Sequence, residues 1–381
     1  MKVTVAIDSF KGSLSTFEAA SAIEEGIKRV YNDAEVVKSP RADGGEGTVE
    51  AIIAAGGGEM VTVSVTGPLG VKIDASYGFI TDTKTAVIEM SAAAGITLVS
   101  DAERNPLNTT TYGVGEMIAD AVSRGCRKFI IGIGGSATND GGIGMLQALG
   151  FEFLNERGSQ VPYGAKGLEN IRTINIENAL PELKECEFCV ACDVKNPLCG
   201  DNGCSAIYGP QKGATPEMIE DMDMWLLDYA RLTKEVLPES DANVEGTGAA
   251  GGMGFALLSY LGATLSSGVD LVIKETGLED YVKDSELVIT GEGRLDGQSY
   301  MGKAPIGVAK LGKKYGKTVI AFSGCVTEDA RVCNEHGIDA FFPILRAPCT
   351  LEEAMNKDNA YKNLCDTTEQ ALRLIKAAKN D

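Results

Sequence analysis

The sequence predicts an α/β protein of two domains, with a parallel sheet in the domain that contains both chain ends. Apolar segments of strand length alternate with helical segments along the whole chain, and this alternation favours that class. The length of 381 residues suits two domains of ordinary size. We expect residues 1–66 plus 285–381 to form the first domain, and residues 67–284 to be inserted as a second α/β domain with a mixed sheet.

The N-terminal part of the chain supplies the first predicted elements in order. Residues 3–8 predict a strand that leads into a helix, for which Ser15 and Glu18 form a capping box. Later segments of strand character lie at 35–38, 61–65, 72–80 and 86–90. The last three alternate apolar and polar side chains in the manner of antiparallel strands, and they mark the passage into the second domain.

The remaining elements return to alternation of strands and helices. A buried strand at 129–133 ends in a glycine-rich loop, and a long helix is predicted at 216–236. A polar linker at 238–245 precedes a second glycine tract. The last predicted elements are strands at 287–290, 319–322 and 340–343 and a C-terminal helix from residue 351.

The charge of the chain excludes some classes of partner. With 54 acidic and 35 basic side chains, the formal net charge is −19. A nucleic-acid or anionic-membrane partner is disfavoured, because those surfaces require a basic face. The chain has no run of 18 apolar residues, so we expect no membrane span. We expect a cytoplasmic location, since the N-terminal residues have the pattern of a strand and not of a leader.

The histidine and cysteine content narrows the chemistry. The single histidine, His336, excludes a histidine-ligated zinc cluster, and it has the pattern of a helix end instead of a triad member. The spacing of Cys186, Cys189 and Cys192 is one that can hold an iron–sulfur cluster. We interpret these as reduced thiols, because residues 188–192 have the pattern of a buried strand.

Glycine clusters follow several of the predicted strands, where free N–H groups of the next helix can bind an anion. Two familiar patterns fail in their context. Residues 246–251 match G-x-G-x-x-G but follow a polar linker instead of a strand. Residues 297–304 are one residue short of a P-loop, and Ala304 stands where Ser or Thr would ligate magnesium. Lys303 remains a candidate phosphate ligand.

Polar residues after these strands suit phosphoryl transfer. They supply cations, carboxylates and backbone amides, whereas they give little support to acyl transfer or to hydrolysis with histidine or a metal hydroxide. The residues are Ser9, Lys11, Arg41, Asp43, Glu46, Ser136, Thr138, Asn139, Asp140, Asp193, Asn196, Lys212, Glu292, Arg294, Asp296 and Gln298.

Several motifs in these loops stand in a specific order. They are SFKGSLS at 9–15, ADGGEGT at 42–48, GGSATNDGG at 134–142, CDVKNPL at 192–198, GPQKGA at 209–214, GAAGG at 248–252, GEGRLDGQS at 291–299 and GKAP at 302–305. Together they resemble the type 1 family of bacterial glycerate kinases. Small departures lie at Tyr208, where Phe is more usual, and at 323–325.

This resemblance implies an ATP-dependent kinase that phosphorylates glycerate, with Mg²⁺ as the cofactor bound with ATP and small molecules as partners. It implies that the domain built from both chain ends is Rossmann-like and that the active site lies in a cleft between the domains. Family members of this type are similar to 2-kinases, which give 2-phosphoglycerate. The residues alone determine neither which hydroxyl of glycerate is phosphorylated nor the oligomeric state.

A hypothesis for the nucleotide follows from the loops and the resemblance together. We expect MgATP to bind over residues 134–142 and 248–254, with Lys11 or Lys212 neutralising developing charge and Lys303 beside a phosphate. The nucleotide-binding residues in these two loops would be Gly134, Gly135, Ser136, Thr138, Asn139, Gly248, Gly251 and Gly252.

The hypothesis assigns the remaining residues to the substrate, the proton and the metal. Arg294 would clamp the glycerate carboxylate, because its planar guanidinium suits bidentate contact. Asp193 is the candidate acceptor of the hydroxyl proton, and Asp296 is the alternative. Further substrate ligands would be Ser9, Asp43 and Gln298, and the candidates for magnesium are Asp43, Asp140 and Glu292.

Two other functions stay open from the sequence. A non-catalytic protein that binds phosphorylated metabolites is disfavoured because the lysines, carboxylates and glycine loops are all present. An oxidoreductase is disfavoured by the failed dinucleotide pattern and by the lack of a catalytic histidine. Release of ADP that depends on glycerate, without a change in nicotinamide absorbance, would separate the three.

Overall fold

A computed structural model describes residues 1–39, 48–300 and 303–379 of the chain. The strands within these residues are β1 (Lys2–Val5), β2 (Glu35–Lys38), β3 (Glu59–Thr66), β4 (Lys72–Ile80), β5 (Thr85–Glu89), β6 (Lys128–Gly132), β7 (Glu152–Leu154), β8 (Thr173–Asn175), β9 (Glu187–Ala191), β10 (Thr264–Ser266), β11 (Leu287–Leu295), β12 (Thr318–Val326) and β13 (Ala340–Pro343).

The helices of the described residues are α1 (Thr16–Lys28), α2 (Thr48–Gly56), α3 (Ser91–Ala94), α4 (Tyr112–Ser123), α5 (Ile143–Ala148), α6 (Ala165–Leu168), α7 (Cys204–Tyr208), α8 (Pro216–Val236), α9 (Ala249–Leu261), α10 (Gly268–Glu275), α11 (Leu278–Asp284), α12 (Ala304–Lys314), α13 (Val332–Glu335), α14 (Leu351–Met355) and α15 (Lys357–Ala378). Short 3₁₀ helices lie at Ile96–Leu98, Asp101–Glu103, Pro181–Glu185, Pro210–Lys212 and Glu328–Arg331.

The chain divides into two compact units. The first comprises Met1–Asp43 and Val269–Asp381, and the second comprises Gly44–Gly268. The expected boundaries, 66 and 285, both lie further along the chain than this division. The difference arises because β3 pairs with β4 in the second unit, whereas α11 packs in a core of the first unit.

The first unit is built on a five-stranded parallel sheet with the order β13-β12-β11-β1-β2. Val3 of β1 pairs with Leu287 of β11 on one side and with Val36 of β2 on the other, so the sheet joins both chain ends. Side chains alternate between the two faces: Val3 and Val5 pack with α1 and α15, while Ala6 packs with α11 and α12. The predicted parallel sheet is confirmed.

The second unit is built on a six-stranded mixed sheet with the order β10-β9-β6-β5-β4-β3. Strands β3, β4 and β5 pair antiparallel, and β5, β6, β9 and β10 pair parallel. The predicted mixed sheet is therefore confirmed. One refinement concerns β5, which is antiparallel to β4 but parallel to β6 and so connects the two kinds of pairing.

Local signals fix several helix ends as expected. Ser15 and Glu18 form both hydrogen bonds of a capping box at α1. The long helix α8 has the predicted bounds, Pro216–Val236, with Thr215 as its N-cap. The expected single C-terminal helix from residue 351 is wrong, because Asn356 adopts extended backbone and caps a new helix, α15. In the described part of the chain, no helix has the length and hydropathy of a membrane span.

Candidate active site

A cavity of about 690 Å³ opens in the first unit at the carboxyl ends of its parallel strands. It is lined by residues that follow β1, by the ends of β11 and β12, and by the segment that follows β13. Ligands of open α/β sheets bind at this edge, where helix N-termini present free N–H groups. The predicted site residues that line the cavity are Ser9, Lys11, Glu292, Arg294, Asp296 and Lys303.

The charged groups of the cavity are loosely paired. Arg294 Nε lies 3.5 Å from Asp296 Oδ2. Lys303 Nζ lies 3.8 Å from Glu292 Oε2 and 3.7 Å from Asp296 Oδ1. These separations exceed those of short charge-assisted hydrogen bonds, so the two cations can turn toward an anionic ligand at small cost.

Hydrogen bonds in the turn after β11 hold the two carboxylates. The buried hydroxyl of Ser299 donates to Glu292 Oε1 at 2.7 Å, and it accepts from the N–H of Asp296 at 3.1 Å. The N–H of Gln298 donates to Asp296 Oδ1 at 2.9 Å, while the Gln298 side chain is exposed. Ser299 therefore acts as a positioning residue that the sequence analysis did not single out.

The loop after β1 approaches β11 closely. Phe10 and Leu14 exchange backbone hydrogen bonds of 2.8 and 3.1 Å, which close the loop into a tight turn. A Cβ at Gly293 would lie 3.3 Å from Phe10 Cα and 3.4 Å from the backbone nitrogen of Lys11. The absence of a side chain at Gly293 thus lets the turn that carries Ser9 and Lys11 lie against β11.

In the second unit, the two glycine-rich loops predicted to bind the nucleotide lie in direct contact. The N–H of Gly141, in the loop after β6, donates to the carbonyl of Gly251 at 2.9 Å. The first turn of α9 is irregular, since Ala250, Gly251 and Gly252 adopt left-handed backbone there. The structure therefore brings residues 134–142 and 248–254 together, as the hypothesis required of them.

Asp140 is a structural anchor of the loop after β6. Its buried carboxylate accepts from the N–H and the hydroxyl of Thr111, both at 2.9 Å, and from the N–H of Gly142 at 3.1 Å. Burial raises the pKa of Asp140, and the three hydrogen bonds act in the opposite direction. This carboxylate already uses its lone pairs within the protein, which makes it a poor candidate for magnesium.

Lys212 and Asn139 hold the same loop from another side. The buried ammonium of Lys212 donates to Ser136 Oγ at 2.8 Å and to the carbonyl of Thr138 at 2.6 Å. Desolvation lowers its pKa from an ordinary 10.5 to about 8. Asn139 Nδ2 donates to Ser205 Oγ at 2.8 Å. These contacts fix the conformation of residues 136–139.

Burial divides the predicted nucleotide-binding residues of the second unit into two groups. Gly134 and Gly135 are exposed. The buried members are Ser136, Thr138, Asn139, Lys212, Gly248, Gly251 and Gly252. Phosphate binding by these loops stays a prediction, and burial favours a role in holding the loops together for all but the exposed pair.

Asp193 follows β9 closely, at the same edge of the mixed sheet as the exposed Gly134 and Gly135 after β6. Strands β9 and β6 are parallel neighbours, with Ala191 in register with Gly132. The exposed Asp193 side chain accepts from the N–H of Gly268, at the start of α10, at 3.0 Å. A carboxylate held this way can accept a proton from a ligand at that edge.

The close approach of the two glycine loops gives a stability prediction. A Cβ at Gly251, whose φ is +67°, would lie 2.1 Å from the carbonyl oxygen of Thr138. Gly262 has a similar φ of +61°, but a Cβ there would have no atom within 4 Å. We expect Gly251→Ala to lower the free energy of unfolding by about 2 kcal/mol more than Gly262→Ala, in urea denaturation followed by circular dichroism. Equal losses would contradict the importance of the close approach.

Asp43, predicted for both substrate and metal, lies outside the described residues. The interpretation of His336 as a helix end is confirmed, since it caps α13, and its ring stacks on Tyr300 with centroids 5.1 Å apart. No disulfide bond joins any of the ten cysteines, all of which lie within the described residues. Burial raises the pKa values of Cys186 and Cys192, which makes them poor nucleophiles at neutral pH.

Comparison with known proteins decides the family. The sequence profile of the glycerate kinase family matches residues 3–376. The chain belongs to the glycerate kinase family. Within that family, it is 51% identical over 365 residues to a glycerate 2-kinase from Escherichia coli (strain K12), a match that covers 96% of this chain and 95% of the relative.

Two further relatives of this glycerate kinase family member match 98% or more of its length. It is 48% identical over 375 residues to a glycerate kinase from Haemophilus influenzae, with 98% of this chain and 99% of the relative covered. A crystal structure from Salmonella typhimurium LT2, of a protein named as glycerate kinase 2, has a TM-score of 0.92 and 47% identity, and all of both chains is covered. The family resemblance and the fold class predicted from sequence are thus confirmed.

Sequence reasoning about this glycerate kinase family member missed one wall of the cavity. Apolar residues between β13 and α15 line it, among them Leu345, Leu351 and Met355. The signal in the sequence was weak, since isolated apolar residues near a helix start usually pack into the core. Their partial or high exposure, visible only in the structure, distinguishes them.

Proposed function

We propose that this chain is an ATP-dependent glycerate kinase, which transfers the γ-phosphoryl group of ATP to glycerate and gives 2-phosphoglycerate and ADP. Membership of the glycerate kinase family supports a kinase that acts on glycerate. The observation that carries the proposal is the cavity in which Lys11, Arg294 and Lys303 accompany the carboxylates of Glu292 and Asp296.

The charges of this cavity suit a phosphoryl transfer. In such a reaction the protein mainly positions the reactants and stabilises the negative charge of the transferring group. Lys11 and Lys303 supply point charges for phosphate oxygens. Arg294, whose side chain is 66% exposed, supplies a planar fork that can bind the glycerate carboxylate with two hydrogen bonds.

The same cavity fits magnesium bound with the nucleotide. Mg²⁺ is held in kinases by one or two carboxylates together with substrate phosphates, so a larger protein cluster is not needed. Glu292 and Asp296 offer such oxygen ligands on one cavity, and Asp140 does not, because its carboxylate is occupied within the protein. When bound, the ion would neutralise phosphate charge. Among the described residues, no group of three or more His, Cys, Asp and Glu side chains could hold a metal alone.

The acceptor hydroxyl must lose its proton as the new bond to phosphorus forms. We assign this proton to Asp193, whose carboxylate is exposed and is oriented by the N–H of Gly268. Asp296 is the alternative acceptor, since it lines the same cavity as Arg294.

A coupled assay with the full-length chain tests the proposal. Supplied with MgATP and D-glycerate, it should release ADP only when glycerate is present. Phosphorus NMR of the product should show a doublet, since a phosphate on the second carbon couples to one proton, whereas a phosphate on the third carbon gives a triplet. If ADP release did not depend on glycerate, the proposed kinase activity would be contradicted. A triplet would contradict only the 2-position of the phosphate and would leave the kinase activity standing.

A further inference from the structure

The volume of the first-unit cavity exceeds what glycerate needs. At about 690 Å³, it is in the range of pockets that enclose whole drug-sized ligands. A three-carbon acid held by Arg294 would fill only a small part of this space. The remaining volume requires a larger occupant or stays filled with water.

One wall of the cavity is apolar and comes from a single stretch of chain. We call this the apolar wall, and its residues are Ile344, Leu345, Leu351, Ala354, Met355 and Ala360. Leu351 is 78% exposed, Leu345 is 39% exposed and Met355 is 38% exposed. Large apolar side chains that remain in contact with water beside a charged site indicate a surface for a ligand.

The apolar wall is held in a fixed conformation. At the start of α14, Thr350 Oγ1 accepts from the N–H of Glu353 at 3.2 Å, and the Glu353 side chain bonds back to the N–H of Thr350 at 2.9 Å. Directly after α14, Asn356 Oδ1 accepts from the N–H of Asn359 at 3.1 Å and so caps the start of α15. The two caps hold Leu351 at the start of α14 and Met355 directly before the start of α15.

The apolar wall lies next to the cationic loop after β1. A Cβ at Gly12 would lie 2.7 Å from Met355 Cε, which places this methionine against the residue after Lys11. Lys303, the N-cap of α12, lines the same cavity and adds the positive end of a helix dipole. One cavity thus combines an apolar surface with neighbouring cations, which is complementary to a ligand with a flat apolar base and an anionic chain of phosphates.

We propose that this cavity holds the nucleotide of the reaction, with the base against the apolar wall and the phosphates toward Lys11 and Lys303. The proposal rests on the proposed kinase function and names the nucleotide subsite of that enzyme. It differs from the expectation that MgATP binds over residues 134–142 and 248–254, whose polar side chains are mostly buried. The apolar wall then selects for a nucleoside polyphosphate over an inorganic one.

Calorimetric titration of Leu351→Ser with two probes, ADP and inorganic tripolyphosphate, tests the subsite. Because Leu351 is highly exposed, the substitution should leave the fold intact. We expect the Kd of ADP to rise about tenfold, since apolar contact with the base is lost. The Kd of tripolyphosphate, which has no base, should not change, and neither should the KM of glycerate. Leu374→Ser, an exposed leucine of α15 outside the cavity lining, is the matched control and should bind ADP as the wild type does.

The outcomes separate this proposal from the proposed function. Unchanged ADP affinity in Leu351→Ser and also in Met355→Ser would overturn the subsite while leaving the kinase intact. An equal loss for ADP and tripolyphosphate would overturn it as well, because the residue would then act on the phosphates or on the fold. If the wild-type chain binds ADP but forms no ADP from MgATP in the presence of glycerate, the proposed kinase activity itself is contradicted.

Discussion

Asp193→Asn is expected to lower kcat by about 10²- to 10⁴-fold, with little change in the KM of glycerate or ATP. Asparagine has the same size, and its carbonyl oxygen can still accept from the N–H of Gly268, which now lies 3.0 Å from the carboxylate. The amide cannot take up the proton of the acceptor hydroxyl. Steady-state kinetics with the coupled assay would measure the loss.

Asp223→Asn is the matched control for this variant. Asp223 lies in the same unit and also accepts from a glycine N–H, that of Gly200, at 2.9 and 3.1 Å from its two oxygens. Its exchange should leave kcat unchanged, because no reacting group is assigned to it. Near-normal turnover of Asp193→Asn would remove Asp193 from the proton transfer and leave Asp296 as the acceptor.

The wild-type protein is expected to gain up to about 3 kcal/mol in free energy of unfolding, relative to Lys212→Met, between pH 8 and pH 10.5. Below pH 8 the lysine is protonated in both the folded and the unfolded chain, and the cost of the buried charge is fully present. Between pH 8 and pH 10.5, Lys212 keeps its proton in the unfolded chain but has lost it in the folded chain. Stability therefore rises with pH across this window, and the variant lacks this contribution.

Urea denaturation at pH values across the window would measure the difference between the two proteins. The comparison with Lys212→Met is needed because buried thiols and phenols, such as those of Cys204 and Tyr260, have raised pKa values and oppose the rise. Lys234→Met removes an exposed lysine of α8 and shows the general effect of one lost positive charge. If the free energy of unfolding had the same pH dependence in the wild type and in Lys212→Met, the lowered pKa of Lys212 would be contradicted.

Local signals in the sequence predicted those parts of the fold that depend on neighbouring residues. The helix α8 begins and ends as expected, because Thr215 and Pro216 define its start and its apolar positions repeat with helical period. The break at Asn356 was missed, since a residue that caps one helix also fits the exposed face of a longer one. The division between the units depends on strand pairing across long sequence distances, which composition does not reveal.

The candidate site was predictable in its residue types but not in its burial. Ser9, Lys11, Arg294 and Lys303 line one cavity because parallel strands end at one edge of a sheet, which follows from the fold class. That Asp140 is buried depends on tertiary packing and could not be read from its glycine-rich context. The apolar wall likewise forms only when the segment after β13 folds back over the loop after β1.

The shared sheet of the two chain ends has a consequence for synthesis on the ribosome. Strand β1 is made first, but its neighbour β11 begins only at Leu287, after the whole continuous second unit has been made. Until then β1 can pair only with β2 and lacks its second neighbour, whereas the second unit already has all of its own strands and can fold. The pairing of β11 with β1 spans a long sequence distance and can form only late. Folding of the first unit therefore depends on synthesis of the C-terminal third of the chain.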